Sequence, residues 1–285
     1  METWLIWAIV VIFVSGFHNF TLKIAAERNY DVSVINFYSY LISIIFLWLY
    51  LIYDFKNIDF SNIYTVMFLA LWNSLFFFLS MFSRVKAMKN VDTVIFFPLY
   101  KTFWPILVTI ISLFFFKEIL ETKEIIWIII WITIPLLLIT RSEDKRQKDL
   151  YLWIIFILIT SIATAISSSM SKELMVEHLN IYLYLFIGSI FWLFFSIISY
   201  IFITNKKKHN KKWLLKIWVI SWFFHLASFI SFNLALAWNF AVVFTISSFS
   251  ILIPIILSVI FYKDHFDLKK GLVIVLSIIS IIMFI

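Results

Sequence analysis

The sequence predicts an all-α integral membrane protein of ten transmembrane helices, arranged as two inverted five-helix repeats over residues 1–140 and 149–285. Three observations carry that expectation. Apolar residues make up 64% of the 285-residue chain and charged ones 14%, with a mean hydropathy of +1.02, outside the range of soluble domains. Ten windows are long and apolar enough to cross about 30 Å of hydrocarbon at about 1.5 Å per residue. The loop Phe115-Phe116-Lys117-Glu118-Ile119-Leu120-Glu121-Thr122-Lys123-Glu124 recurs 146 residues later as Phe261-Tyr262-Lys263-Asp264-His265-Phe266-Asp267-Leu268-Lys269-Lys270. Each copy joins two apolar runs, and an odd number of spans per copy inserts the second copy upside down.

In chain order, the first window, about 3–22, follows Met1-Glu2-Thr3. It has no basic leader and no small-residue cleavage site, so it reads as a retained span. Windows 33–53 and 62–83 flank a short loop with Lys56, and windows 91–116 and 122–140 enclose the first copy of the repeated loop. The sixth, 149–170, follows the basic stretch Arg141–Lys148, which divides the copies. The seventh, 179–203, ends at the run Asn205–Lys212 that leads into the eighth, 213–236. Windows 240–262 and 268–285 enclose the second loop copy. Almost no chain is left outside the bilayer to house separate chemistry. The lack of cysteine excludes disulfides, thiolate metal sites and redox relays.

The net charge of +7 sits at span ends, which argues against a nucleic-acid partner and for anionic lipid headgroups. Of the 23 Lys and Arg residues only Lys101 is deep; eighteen fall after odd-numbered spans, and Lys56, Lys117, Lys123 and Lys172 after even ones. The positive-inside rule then predicts cytoplasmic odd loops and external termini in the plasma or inner membrane.

Lys101 is the sharpest single feature. It lies about ten residues into its span, where a lysine costs roughly 2.5–3.5 kcal/mol. Snorkelling would have to cover about 15 Å of helix rise, beyond the side chain's reach. It is therefore expected to face a protein or water-filled interior beside Tyr100 and Trp104, with Pro98 and Pro105 freeing backbone carbonyls around it. Its counterpart in the second copy is Ser250. His18 and Asn19 on the first span, Trp72 and Asn73 on the third and His225 on the eighth complete the candidate solute-binding set. For each histidine the alternative is a neutral imidazole bonded between helices. No catalytic group, metal ligand or cofactor motif is expected, and with no buried carboxylate to hold an organic cation, the set suits an anionic or zwitterionic solute.

Ala87, Pro105 and Glu118, repeated as Ala237, Pro254 and Asp264, make a pattern of an alanine, a proline about eighteen residues on, and an acidic residue opening the next hairpin. With ten spans and a five-plus-five repeat, this resembles the drug/metabolite transporter superfamily, in particular its EamA-type members. That family usually has glycine before the acidic residue, where this chain has Lys117 and Lys263. The resemblance implies a secondary transporter of small polar metabolites, because antiparallel halves can exchange conformations and open opposite sides in turn. The alternatives are a non-transporting membrane protein (a lipid scrambler, sensor or assembly partner) or an exporter of hydrophobic drugs. An enzyme is not expected, and the chain is expected to act as a monomer, with a dimer as the alternative. Orientation is directly testable, since a cysteine placed at position 208 would be unique in the chain. A membrane-impermeant thiol reagent should leave it unlabelled in intact cells and label it after lysis; labelling from outside reverses the assignment.

Overall fold

The computed structural model describes residues 3–27, 32–88, 93–134, 150–203, 211–262, 268, 271–276 and 279. All regular elements among them are helical: α1 (Thr3–Glu27), α2 (Val32–Tyr53), α3 (Ile63–Met88), α4 (Thr93–Phe114), α5 (Thr122–Thr133), α6 (Leu150–Val176), α7 (Ile181–Ile203), α8 (Lys211–Ala235), α9 (Phe240–Ser248) and α10 (Leu252–Tyr262). Short 3₁₀ turns occupy Phe55–Asn57 and Phe249–Ile251. Among the described residues, seven segments are long and apolar enough to cross a membrane: α1, α2, α3, α6, α7, α8 and the continuous stretch through α9 and α10. The fourth predicted span supplies a shorter apolar stretch, Leu99–Phe114. The predicted fifth span is helical to Thr133. The rest of it, the segment 141–148, the run 205–210 and the second loop copy at 263–267 lie outside the described residues. Of the predicted tenth span, residues 268, 271–276 and 279 are described and are helical.

Several helices run past the ends that hydropathy suggests. α3 continues to Met88 rather than 83, and α6 to Val176 rather than 170. A helix satisfies its own backbone and need not stop where apolar residues do. Two cations assigned to loops by sequence, Arg84 and Lys172, consequently belong to helices.

The packing follows a regular plan. α3 lies on α6 and α1 on α8; α3 also meets α7, and α2 meets α8; α4 touches α6, and α1 touches α9; α2 pairs with α7, and α4 with α9. Exchanging α1–α4 for α6–α9 maps this set of pairs onto itself. The outer faces of α2, α5 and α7 are apolar, with Phe46, Trp48, Ile129 and Phe194 all more than half exposed, as a hydrocarbon solvent permits. α9 is instead apolar but for Thr245, Ser247 and Ser248 and is buried along its whole length, as a central helix is.

Two backbone features hold this centre together. Pro254 has no N–H to give the Ser250 carbonyl, and the chain tightens into the 3₁₀ turn Phe249–Ile251, where Leu252 N–H bonds to the Phe249 carbonyl. α1 crosses here through Gly16, where a Cβ would fall 2.5 Å from Ile253 Cβ and 3.0 Å from the Ser250 carbonyl oxygen. At the end of α4, Lys117 has φ 51°, in the left-handed region. This is the position where the family it resembles has glycine, and a side chain there costs roughly 1–2 kcal/mol. Opposite effects are expected from two small substitutions. Gly16→Ala should destabilise by about 1–3 kcal/mol through overpacking, whereas Lys117→Gly should stabilise by about 1 kcal/mol. Unfolding midpoints in detergent check both signs.

Candidate functional site

A cavity of about 120 Å³ lies among α1, α3, α4, α6, α8 and α9, with room for about four waters at roughly 30 Å³ each. Each helix presents one face to it at helical spacing. Val11, Ser15, His18 and Asn19 come from α1; Asn73, Phe77, Met81 and Arg84 from α3; Thr164, Ser167, Ser168 and Ser171 from α6; and His225, Ser228, Phe229 and Phe232 from α8. α4 adds Tyr100, Lys101 and Trp104, α9 adds Ser247, and the 3₁₀ turn after it adds Ser250. Eight of the nine residues expected from sequence therefore line one cavity. Trp72 does not: it stands 37% exposed on the outer face of α3, with Phe68 and Phe76 beside it. Its neighbour Asn73 takes the inward position, because consecutive residues on a helix point about 100° apart.

Lys101 is 3% exposed. Its Nζ donates to Ser250 Oγ at 3.2 Å and lies 4.5 Å from the Trp104 ring centroid, so the two residues paired by sequence offset meet across the centre. Arg84 is the cation that sequence reasoning missed. Its Nη2 donates to Tyr100 Oη at 2.7 Å, its Cζ sits 4.7 Å from the same ring, and its buried Nε has no hydrogen-bond partner. The signal was present: Asn73, Phe77 and Met81 step along α3 by four, and one further turn reaches Arg84.

The remaining polar groups are arranged in matched sets. Ser80 Oγ meets Thr164 Oγ1 at 2.6 Å between α3 and α6, and Ser228 Oγ meets Ser15 Oγ between α8 and α1. Asn73 Nδ2 donates to the Ser167 carbonyl at 2.7 Å, while Ser221 Oγ lies 3.5 Å from His18 Nδ1. In each case the second contact joins residues offset by 148 or 149 from those in the first, the same offset that separates Lys101 from Ser250. His18 and His225 face one another with ring centroids 5.0 Å apart, and His225 Nε2 has no partner. Several hydroxyls bond back into their own helix, as Thr245 does to the Ala241 carbonyl and Ser248 to that of Phe244.

One end of the bundle is tied by a buried ion pair. Glu118 Oε1 lies 2.8 Å from Lys172 Nζ, and its Oε2 accepts the Phe240 N–H at 2.8 Å and the Ser112 hydroxyl. Lys172 also donates to the Trp238 carbonyl at 2.7 Å and to that of Leu236 at 3.2 Å. Glu118 thus caps α9 rather than the helix that follows it in sequence, and the α5 N-terminus is closed by a Glu121–Glu124 capping box. Trp4 stacks on Trp238 at the same end, ring centroids 5.3 Å apart. Glu118→Gln or Lys172→Met alone should destabilise by roughly 3–5 kcal/mol, the cost of stranding one member of a buried pair. The double substitution should cost less than their sum in a double-mutant unfolding cycle; additive losses would show that the charges do not interact.

The model of the EamA-like transporter family matches residues 2–140. A solved structure known simply as a crystal structure of a protein is similar in fold, with a TM-score of 0.79 at 10% identity over 99% of this chain and 98% of that one. No curated protein matches the sequence significantly. Members of the matched family are membrane transporters rather than enzymes, in keeping with seven membrane-capable segments around a polar cavity. Residues 2–140 thus match the EamA-like transporter family, and the chain fits the drug/metabolite transporter superfamily that its motifs resemble.

Proposed function

We propose that this protein is a secondary transporter that carries a small carboxylate-bearing or zwitterionic solute across the cell membrane by alternating access. The observation that carries the reading is the central cavity, where Lys101 is buried without an acidic partner among the described residues and faces Ser250 across the centre. None of the cavity-lining residues is acidic, so the counter-charge for the ammonium is left to the solute. Trp104, Tyr100, Phe77 and Phe229 supply the apolar walls that ligand sites commonly have.

The matched polar contacts support two inverted repeats, 1–140 and 149–285, whose exchange of conformation would open the cavity to each side in turn. The Glu118–Lys172 pair and the Trp4–Trp238 stack then form a closure on the side of the even loops. The positive-inside rule makes that side external, with both termini. Lys172, one of only four cations after even spans, is consumed by this closure, which sharpens the charge asymmetry on which the orientation rests. His18 and His225 are the groups available for proton coupling in a cavity without a carboxylate.

Solute uptake into proteoliposomes, measured against a panel of amino acids and organic acids, tests the reading. Flux above protein-free liposomes is expected for at least one anionic or zwitterionic solute; none for any of them rejects it. Lys101→Met should retain a monodisperse elution profile, since it removes a costly buried cation at similar volume. It should weaken solute binding by about 2–5 kcal/mol. Lys101→Arg should rescue poorly, because a planar guanidinium does not fit the space of an ammonium. Wild-type affinity in a folded Lys101→Met protein would remove Lys101 from the site.

A further inference from the structure

We propose that the cavity is built for a dianion, a small dicarboxylate or phosphate monoester held between Arg84 and Lys101. The inference rests on the transporter reading and narrows its solute class.

The cavity has two cationic side chains and no anionic one. Both lie against one ring: Arg84 Cζ is 4.7 Å and Lys101 Nζ 5.7 Å from the Tyr100 centroid. Their charges are therefore no farther apart than those two distances combined, a separation that a short solute with an anionic group at each end can bridge. Neither cation has an ion-pair partner among the described residues, where the one buried pair is Glu118–Lys172. Lys101 is held by a neutral hydroxyl and Arg84 by a phenol. Arg84 keeps its buried Nε–H without a partner, and the edge of a guanidinium that carries this donor fits a carboxylate or phosphate bidentately. Two like charges in a low-dielectric interior repel; a monoanion leaves a net positive charge, and a zwitterion adds a third cation with no carboxylate to receive it. A dianion neutralises the site.

The site's own internal match points the same way. For Ser15, His18, Asn19, Phe77, Met81 and Arg84, six of the eight lining residues of α1 and α3, the position 148 or 149 residues on lines the cavity from α6 or α8. At those positions the two cations are answered by Phe232 and Ser250. Both charges thus come from the first half of an otherwise repeating frame, while Thr164, Ser167 and Ser168 bring hydroxyls to the same cavity from the second. That asymmetry between the halves is one that scaffold packing alone does not require.

Binding to the purified full-length protein in nanodiscs tests the proposal, with succinate, inorganic phosphate, monomethyl succinate and L-alanine as probes. The pH is held at about 8, where inorganic phosphate and succinate are both mainly dianions. Succinate or phosphate should bind at least tenfold more tightly than monomethyl succinate, and the tighter of the two identifies the anion type. Arg84→Gln should abolish that preference and Arg84→Lys should retain part of it. If Arg84→Gln does not fold, the wild-type comparison still decides. Equal affinity for succinate and its monomethyl ester overturns the proposal, as does binding of neither dianion at millimolar concentration. Lys101-dependent binding of L-alanine that neither dianion displaces overturns it while leaving the transporter reading intact.

Discussion

The burial of one ammonium group organises this molecule. Lys101 sits within a helix whose surroundings are hydrocarbon or protein, and exposing it to lipid would cost roughly 2.5–3.5 kcal/mol on insertion scales. α4 must therefore turn this face inward, against the 3₁₀ turn after α9, where Ser250 Oγ accepts a hydrogen bond from the lysine Nζ at 3.2 Å. Pro254 frees the Ser250 carbonyl and tightens the chain at the crossing, while Gly16 lets α1 approach it. The central crossing is thus polar on its cavity face and closely packed on its other face, where Phe249 meets Trp131 with ring centroids 3.7 Å apart.

Around this centre, polar groups divide by what they do for the structure. Ser80–Thr164 and Ser15–Ser228 tie helices across the interface. In a bilayer such contacts stand in for the hydrophobic drive that lipid cannot provide. The Glu118–Lys172 pair closes one end with a carboxylate that also caps α9, so its desolvation is offset by several hydrogen bonds at once. Arg84, Lys101 and His225 are different: each reaches the cavity with donors or acceptors that the fold leaves unused or weakly used. Groups kept buried and underused are costly to the fold alone, and a solute is the natural partner for them.

The contrast between Lys117 and Gly16 shows how local sequence and fold interact. A lysine tolerates φ 51° at the α4 exit, because the strain is confined to one residue of an exposed loop. Gly16 answers a constraint from another helix, one that no local pattern on α1 reveals. The same distinction runs through the candidate site. The sequence placed His18 and Asn19 together on the first span, and both line the cavity. It misjudged Trp72 because an aromatic residue near mid-span suits a lipid face as well as a cavity wall. Arg84 was taken for a loop cation because hydropathy ends a span at the first charge, whereas the helix itself continues.

The sequence by itself determined the membrane setting, the apolar segments, the family likeness and the inward position of Lys101. These follow from composition, length and the cost of an isolated charge in hydrocarbon, all properties of one helix considered alone. Only the tertiary structure decided that Lys101 meets Ser250, that Arg84 shares its cavity, and that Glu118 caps a helix more than a hundred residues away while pairing with Lys172. Those contacts depend on which helices become neighbours and in what rotation. Almost every segment here is apolar enough to pack against almost any other, so pairing was set by complementary polar groups and close-approach sites acting between helices, which a linear reading cannot match up.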